Sequence, residues 1–265
     1  MIVFLLIAAG AILLPLAADA LSMLGRLRLP PDREGDGREG VVIFVESIRW
    51  LSIRWGLRSV AAGFRRAGFG GELLYWRWHA TWRGWLVLPA IMDRRMLQRE
   101  AERLAEFIAR RRRDRPGAPI YLVGYSCGGY VALRAMELLP EDIAVDAAAL
   151  LAPAASPGRD LSGALSHLAG RDATGRLVIT SSVLDWFIVG LGTLAFGTAD
   201  RRHTPAMGMV GPRGRPDAEQ DSRVTEIRWR PGLIRLGHLG GHFSASAAGF
   251  VHRAIAPAMG IEQTA

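Results

Sequence analysis

The stretch Ile120–Leu133, IYLVGYSCGGYVAL, decides the fold. An apolar, strand-like run leads into Gly124-Tyr125-Ser126-Cys127-Gly128 and out into an apolar segment of helical character. A G-x-S-x-G sequence between a strand and a helix holds its serine on a sharp turn, with the hydroxyl exposed for nucleophilic attack. The two glycines have a steric reason, because a side chain at either place would crowd the turn. The flanking strand and helix matter as much as the motif, since they are the context that gives it meaning.

Working outward, apolar runs rich in β-branched residues alternate with segments of helical period. Val41–Val45 and Leu73–Trp78 read as strands, as do Ile120–Gly124, Val145–Leu151, Arg176–Thr180 and Val224–Trp229. Between them, helical character falls on Ile53–Ala67, Met92–Arg113 and Gly129–Leu139, and a closing helix is expected from about Ser244 to Ile255. In Met92–Arg113 the residues Leu97, Ala101, Leu104, Ala105 and Ile108 share one face, and Pro116-Gly117 stops the helix. This alternation predicts an α/β fold: a mostly parallel central sheet with helices on both faces. An insertion, Trp186–Ser222, follows the Arg176 strand. Its first part, WFIVGLGTLAFG, is apolar enough to line a pocket, touch a membrane or pack on the sheet.

A serine hydroxyl needs a base to take its proton, and that base must be held by an acid. In a parallel sheet all three groups belong at the carboxyl ends of strands. Asp185 lies just past the Arg176 strand, and the last strand runs on to Gly237-His238-Leu239-Gly240-Gly241-His242. His242, which follows two glycines and precedes the final helix, is the expected general base, with His238 as the alternative. The plainer reading of either histidine is a hydrogen-bonded loop residue, and of Asp185 a capping residue at the surface.

These features resemble the α/β-hydrolase fold family, over most of the chain from Val41 to the closing helix. The resemblance rests on the G-Y-S-C-G elbow, the Ser-Asp-His order and the alternating strands. It implies Ser126 as nucleophile, Asp185 as orienting acid and His242 as base. The backbone N–H of Cys127, next after the nucleophile, would be one oxyanion donor. The second would come from Ile48 or Ser47. There the chain departs from the family, because Glu46-Ser47-Ile48 replaces the His-Gly that many members carry after the first core strand. Glu46 is open to two readings, a pocket acid or a partner of Arg49. Trp76, Trp78, Trp82 and Trp85 suit a pocket wall, sheet-edge packing or a membrane belt equally.

Ahead of this domain the chain differs in kind. Residues 1–24 are almost wholly apolar with Asp19 the only charge, and Met1–Ala18 approaches the ~20 residues that a helical bilayer span needs. The expected organisation is a hydrophobic N-terminal helix over 1–24, a polar Pro/Gly linker over 25–40, and the α/β domain over 41–265. An uncleaved membrane anchor is the first reading. Ala18-Asp19-Ala20 resembles a signal cleavage site, and cleavage would make the protein secreted or periplasmic, but no positive charge beyond the terminal amine precedes the apolar run. By the positive-inside tendency Arg26 and Arg28 would keep the domain cytoplasmic.

The 265 residues carry 33 basic residues against 25 acidic, for a net charge of +8. Every basic residue is arginine, which reads as compositional bias. The Arg110–Arg113 cluster with Arg115 reads as a solvated helix end, favourable to the helix dipole. No nucleic-acid motif accompanies it, so no nucleic-acid partner is expected. One cysteine, Cys127, excludes an intrachain disulfide and a cysteine zinc cluster, and the histidines show no metal-ligand spacing. Neither metal nor cofactor is expected. The function expected is a membrane-anchored serine hydrolase of carboxylic esters, with a hydrophobic or lipid-like ester as substrate. The rivals are acyl transfer on the same triad and a tethered binding protein on an idle hydrolase fold.

Overall fold

The structure, a computed structural model, describes residues 17, 33–46, 56–76, 78, 93–169, 175–213 and 222–261. Seven strands form one sheet in the order β1-β3-β2-β4-β5-β6-β7. These are β1 (Arg33–Glu34), β2 (Asp36–Val45), β3 (Gly71–Trp76), β4 (Ile120–Tyr125), β5 (Ala147–Leu151), β6 (Arg176–Ser181) and β7 (Val224–Arg228). All neighbours run parallel except β1, which pairs antiparallel with β3 at one edge. The sheet thus reaches back into the stretch expected to be linker. β1 is polar because its side chains find charged partners: Arg33 pairs with Glu72, and the Glu34 carbonyl accepts from Arg65.

The unbroken apolar runs of the central strands follow from burial on both faces. Along β2, Val41, Ile43 and Val45 point into one core and Val42 and Phe44 into the other. The first core is closed by α2 (Arg94–Asp114) and α3 (Cys127–Glu137), and the second by α1 (Leu57–Arg66) and the C-terminal helical region. α2 starts where Asp93 caps it, its side chain accepting from the Met96 N–H at 3.1 Å, and buries Leu97, Ala101, Leu104, Ala105 and Ile108 as its periodicity requires. Its arginine-rich end is less solvated than its sequence suggests. Arg111 pairs with Glu72, and Arg112 bonds Asp146 at 2.6 Å and the Ala118 and Ala144 carbonyls at 3.0 Å, tying the helix to the starts of β4 and β5.

The closing helix begins later than expected. A 3-10 turn, Phe243–Ser246, comes first, then α-helix from Ala248 to Phe250, a π turn over Val251–Ile255, and α-helix again over Ala256–Ala258. The widened turn precedes Pro257, which has no N–H to give. Among the described residues no helix is long and apolar enough to cross a membrane. The N-terminal segment 1–24 lies, but for Ala17, outside the described residues.

Candidate active site

β4 delivers Ser126 to the carboxyl end of the sheet, where the chain turns sharply into α3. Ser126 has φ 55° and ψ −121°, a sparsely populated conformation for a residue with a side chain. Its N–H donates to the Leu151 carbonyl at 2.9 Å, and its carbonyl accepts from Gly129 at 3.0 Å and Ala154 at 3.1 Å. The flanking glycines are needed for closeness. A Cβ on Gly124 would lie 2.6 Å from the Gly128 carbonyl oxygen, and one on Gly128 would lie 2.0 Å from that of Val45. The elbow is therefore pressed against the end of β2.

Asp185 sits in the loop that leaves β6, and its N–H donates to the Ser182 carbonyl at 3.1 Å. His242 sits in the loop beyond β7. The structure brings the two together: His242 Nδ1 and Asp185 Oδ2 are 2.6 Å apart, both buried. A carboxylate at Nδ1 favours a proton there and leaves Nε2 able to accept one. Tyr125, the residue before Ser126, holds His242 at the elbow. Its hydroxyl donates to the His242 carbonyl at 3.2 Å and its ring centroid is 5.2 Å from the imidazole. Among the described residues no hydrogen bond joins the Ser126 hydroxyl to the imidazole. Catalytic hydrogen bonds are often long without substrate and tighten on binding.

His238 is placed differently. Its ring packs on Phe250, centroids 4.6 Å apart, and its Nδ1 accepts from the Gly240 N–H at 3.3 Å and lies 3.2 Å from Ser244 Oγ. Burial pushes its pKa down to about 4. It is a neutral residue that shapes the loop carrying His242. Ser182, absent from the sequence-based set, bridges the two loops through a bond from its hydroxyl to the Gly240 carbonyl. No motif marks it; only the fold brings residues 58 apart together.

Cys127 opens α3, and among the described residues no acceptor takes its N–H, as suits a donor at a helix start. Its thiol points into the core, where burial pushes the pKa up to about 12, so it offers no thiolate. Ile48, the other expected donor, lies outside the described residues, as do Ser47, His79, Trp82 and Trp85. Glu46 is buried at the end of β2, accepting from the Gly56 N–H at 2.5 Å and the Tyr75 hydroxyl at 2.9 Å. It thereby joins the two ends of the segment that holds Ile48. Trp78 is buried and donates to the Glu46 carbonyl, while Trp76 packs on Phe107 at 5.4 Å.

A cavity of about 480 Å³ opens beside Ser126. Cys127 and Ala154 form its floor. Its other wall is the apolar part of the insertion, a π turn over Phe187–Gly192 followed by α-helix over Thr193–Phe196. The insertion is fastened to the loop after β5 by Ala199 N–H to Ala154 O at 2.9 Å, Met207 N–H to Ala155 O at 2.8 Å, and Asp200 accepting from the Ser156 N–H at 2.9 Å. The cavity size falls within the usual range for small-molecule sites. Among the described residues no cluster of His, Cys, Asp and Glu could hold a metal.

The family model described as serine aminopeptidase, S33, matches residues 94–201, a span that includes Ser126 and Asp185. No curated protein matches the chain. Among solved structures, the chain is similar to a Trichoderma reesei cutinase bound to a phosphonate inhibitor, with 12% identity, TM-score 0.41, and 96% of this chain and 89% of that one covered. It is also similar to the Bacillus licheniformis lipase BlEst2, with 15% identity, TM-score 0.42 and coverage of 87% and 96%. The esterase domain of a Rhodothermus marinus protein gives 15% identity, TM-score 0.42 and coverage of 86% and 90%. The sheet order and the strained serine between β4 and α3 are those of an α/β-hydrolase fold, and the match to a serine-hydrolase family model falls on the region that carries that serine.

Proposed function

We propose that the chain hydrolyses carboxylic esters with a hydrophobic acyl group, using Ser126, His242 and Asp185. The observation that carries this reading is the 2.6 Å bond between His242 Nδ1 and Asp185, packed against the residue that precedes Ser126. In the first half-reaction Ser126 Oγ attacks the carbonyl carbon and His242 Nε2 takes the hydroxyl proton. The tetrahedral oxyanion is met by the Cys127 N–H, with Ile48 proposed as the second donor. Collapse breaks the bond to the alcohol oxygen, which leaves with the proton from the imidazolium. In the second half-reaction water attacks the acyl-enzyme, again through His242, and releases the acid and the serine. The apolar cavity supports the choice of a hydrophobic acyl group.

We also propose that residues 1–24 tether the domain to a membrane, a reading supported by their length and apolar composition.

The test is active-site labelling with a fluorophosphonate, beside hydrolysis of p-nitrophenyl esters of graded chain length. Wild type is expected to label and to prefer medium or longer chains, and Ser126→Ala to do neither. Labelling that survives in Ser126→Ala removes the assignment.

A further inference from the structure

Exposed apolar side chains gather at the carboxyl end of the sheet, around the mouth of the cavity. Val183 and Leu184 follow β6, Phe187, Leu191 and Leu194 recur along the helical wall of the cavity, and Ile234 follows β7. Each is between 40 and 60% exposed. The same wall turns Val189, Gly190 and Thr193 inward. Phe187 meets Trp186 edge-on, ring centroids 5.8 Å apart, and still stays 53% exposed; apolar surface of this kind marks an interaction site. Arg201, Arg202, Arg230 and Arg235 stand exposed in the same two connections. Over residues 181–213 and 229–247 the carboxylates are Asp185, which is buried, and Asp200, which is partly buried and bonded to Ser156 and Thr198. Among the described residues of these stretches the exposed charges are therefore arginines, while Asp217, Glu219 and Asp221 of the same connection lie outside the described residues.

The direction of β1 adds an independent constraint. Arg33 lies opposite Leu74 and Glu34 opposite Leu73, so β1 runs from the carboxyl side of the sheet towards its amino side. The chain therefore enters β1 at the carboxyl side of the sheet, where Ser126 sits. Residues 25–32 can span at most ~28 Å when fully extended. β1 and β6 are five strand positions apart, about 24 Å at the usual spacing. A bilayer lying across the carboxyl ends would meet both the apolar N-terminal segment and the exposed patch. One at the amino ends would need the short linker to pass the whole depth of the sheet.

We infer that the carboxyl-end face rests on an anionic lipid surface, with Phe187, Leu191 and Leu194 entering the interface and Arg202, Arg230 and Arg235 meeting its headgroups. An apolar centre with a cationic rim is the chemistry that binds such surfaces. The inference rests on the tether proposed above and adds which face the tether presents. The cavity over Ser126 then opens towards the acyl chains, so a lipid-borne ester can reach it without crossing water.

The test uses the full chain reconstituted into vesicles of phosphatidylcholine, with or without phosphatidylglycerol. Cys127 is buried, so an environment-sensitive maleimide dye reports an introduced thiol. Leu194→Cys and Ile234→Cys place the dye on the patch. Gly117→Cys places it at the far end of the sheet, where a Cβ has nothing within 4 Å. Vesicle flotation reads the tether, and quenching by a doxyl lipid reads the face. The expected result is flotation of all three, with quenching several-fold stronger on the patch than at 117 and stronger with the anionic lipid. Flotation with equal quenching at all three positions overturns the face while leaving the tether intact. A chain that does not float overturns the tether and the inference with it. A blue-shifted but unquenched patch dye overturns the inference in favour of a second copy or the chain's own segment covering the patch. Equal quenching with and without phosphatidylglycerol overturns the anionic assignment. Each of these outcomes is separable from hydrolysis of a soluble ester in detergent.

Discussion

Asp185→Asn removes one charge from the site and almost no volume. Asp185 is buried and lies 2.6 Å from His242 Nδ1, so in the proposed mechanism its carboxylate acts on an imidazolium that exists only after the serine proton has been taken. With charge centres about 4 Å apart and an effective dielectric constant of about 20, the lost attraction is about 4 kcal/mol. At 1.36 kcal/mol per tenfold in rate, kcat should fall about 10³-fold. Because the attraction belongs to the transition state, KM should change little. The amide adds a second effect in the same direction, since an N–H turned towards Nδ1 would hold the proton on the wrong nitrogen. The assay is hydrolysis of a short p-nitrophenyl ester under saturating conditions, with a thermal melt to confirm the fold. A loss of less than tenfold in kcat, or one carried by KM, would refute this role for Asp185.

Two further substitutions test the frame around the triad. Gly128→Ala places a Cβ 2.0 Å from the Val45 carbonyl oxygen and 2.6 Å from that of Glu46. Both are backbone and cannot swing away, so at least about 1–3 kcal/mol should be lost, with a melting temperature several degrees lower and reduced kcat; an unchanged melt and rate would show that the elbow is not pressed on β2. His238→Asn keeps an acceptor for the Gly240 N–H but removes a titrating ring. The unfolded chain protonates this histidine below about pH 6.5 and the folded one only below about 4. Wild-type stability should therefore fall by about 3 kcal/mol as pH drops through that window, and the variant should lack this component. Urea unfolding at pH 7 and pH 4.5 checks it, and parallel pH slopes would contradict the buried neutral ring.

What was legible in the sequence is what local chemistry dictates. The central strands are apolar throughout because both faces are covered, and the elbow glycines stand where a Cβ would strike backbone. The position of Asp185 was legible by topology, since the loop after a parallel strand opens at the carboxyl end, where its side chain meets His242; its proposed role is what the Asp185→Asn assay tests. The rest depends on partners distant in sequence. β1 looked like linker because its polar residues are satisfied by Glu72 and Arg65. The arginine-rich end of α2 looked solvated because Glu72 and Asp146 lie 39 and 34 residues from the arginines they hold. Glu46 looked like a pocket acid or an ion-pair partner, and its bond to Gly56 spans a ten-residue gap that no pattern marks. The helical wall of the cavity was ambiguous for a physical reason: apolar on its inner and outer sides, it carries no period to show which faces the protein.

The same distinction separates the residues proposed to react from those that hold them in place. Ser126 is held in a conformation that costs on the order of 1–3 kcal/mol, and its own carbonyl and N–H make the three bonds that keep it there. His242 is tied to the elbow through the Tyr125 hydroxyl and to the acid through Nδ1. Asp185 is tied to Ser182, whose hydroxyl reaches the Gly240 carbonyl, and Gly240 in turn donates to His238, which rests on Phe250 in the core beneath the sheet. These contacts close a ring around the imidazole, joining the end of β4 to the loops after β6 and β7. Because the ring closes through Ser182 and Gly240, the separation between acid and base depends on residues that need not touch substrate. The proposed triad, held this way, would be pre-organised, with little reorganisation left at the moment of proton transfer. Loosening Ser182 would then act on the rate through geometry alone, leaving the three reacting side chains unchanged.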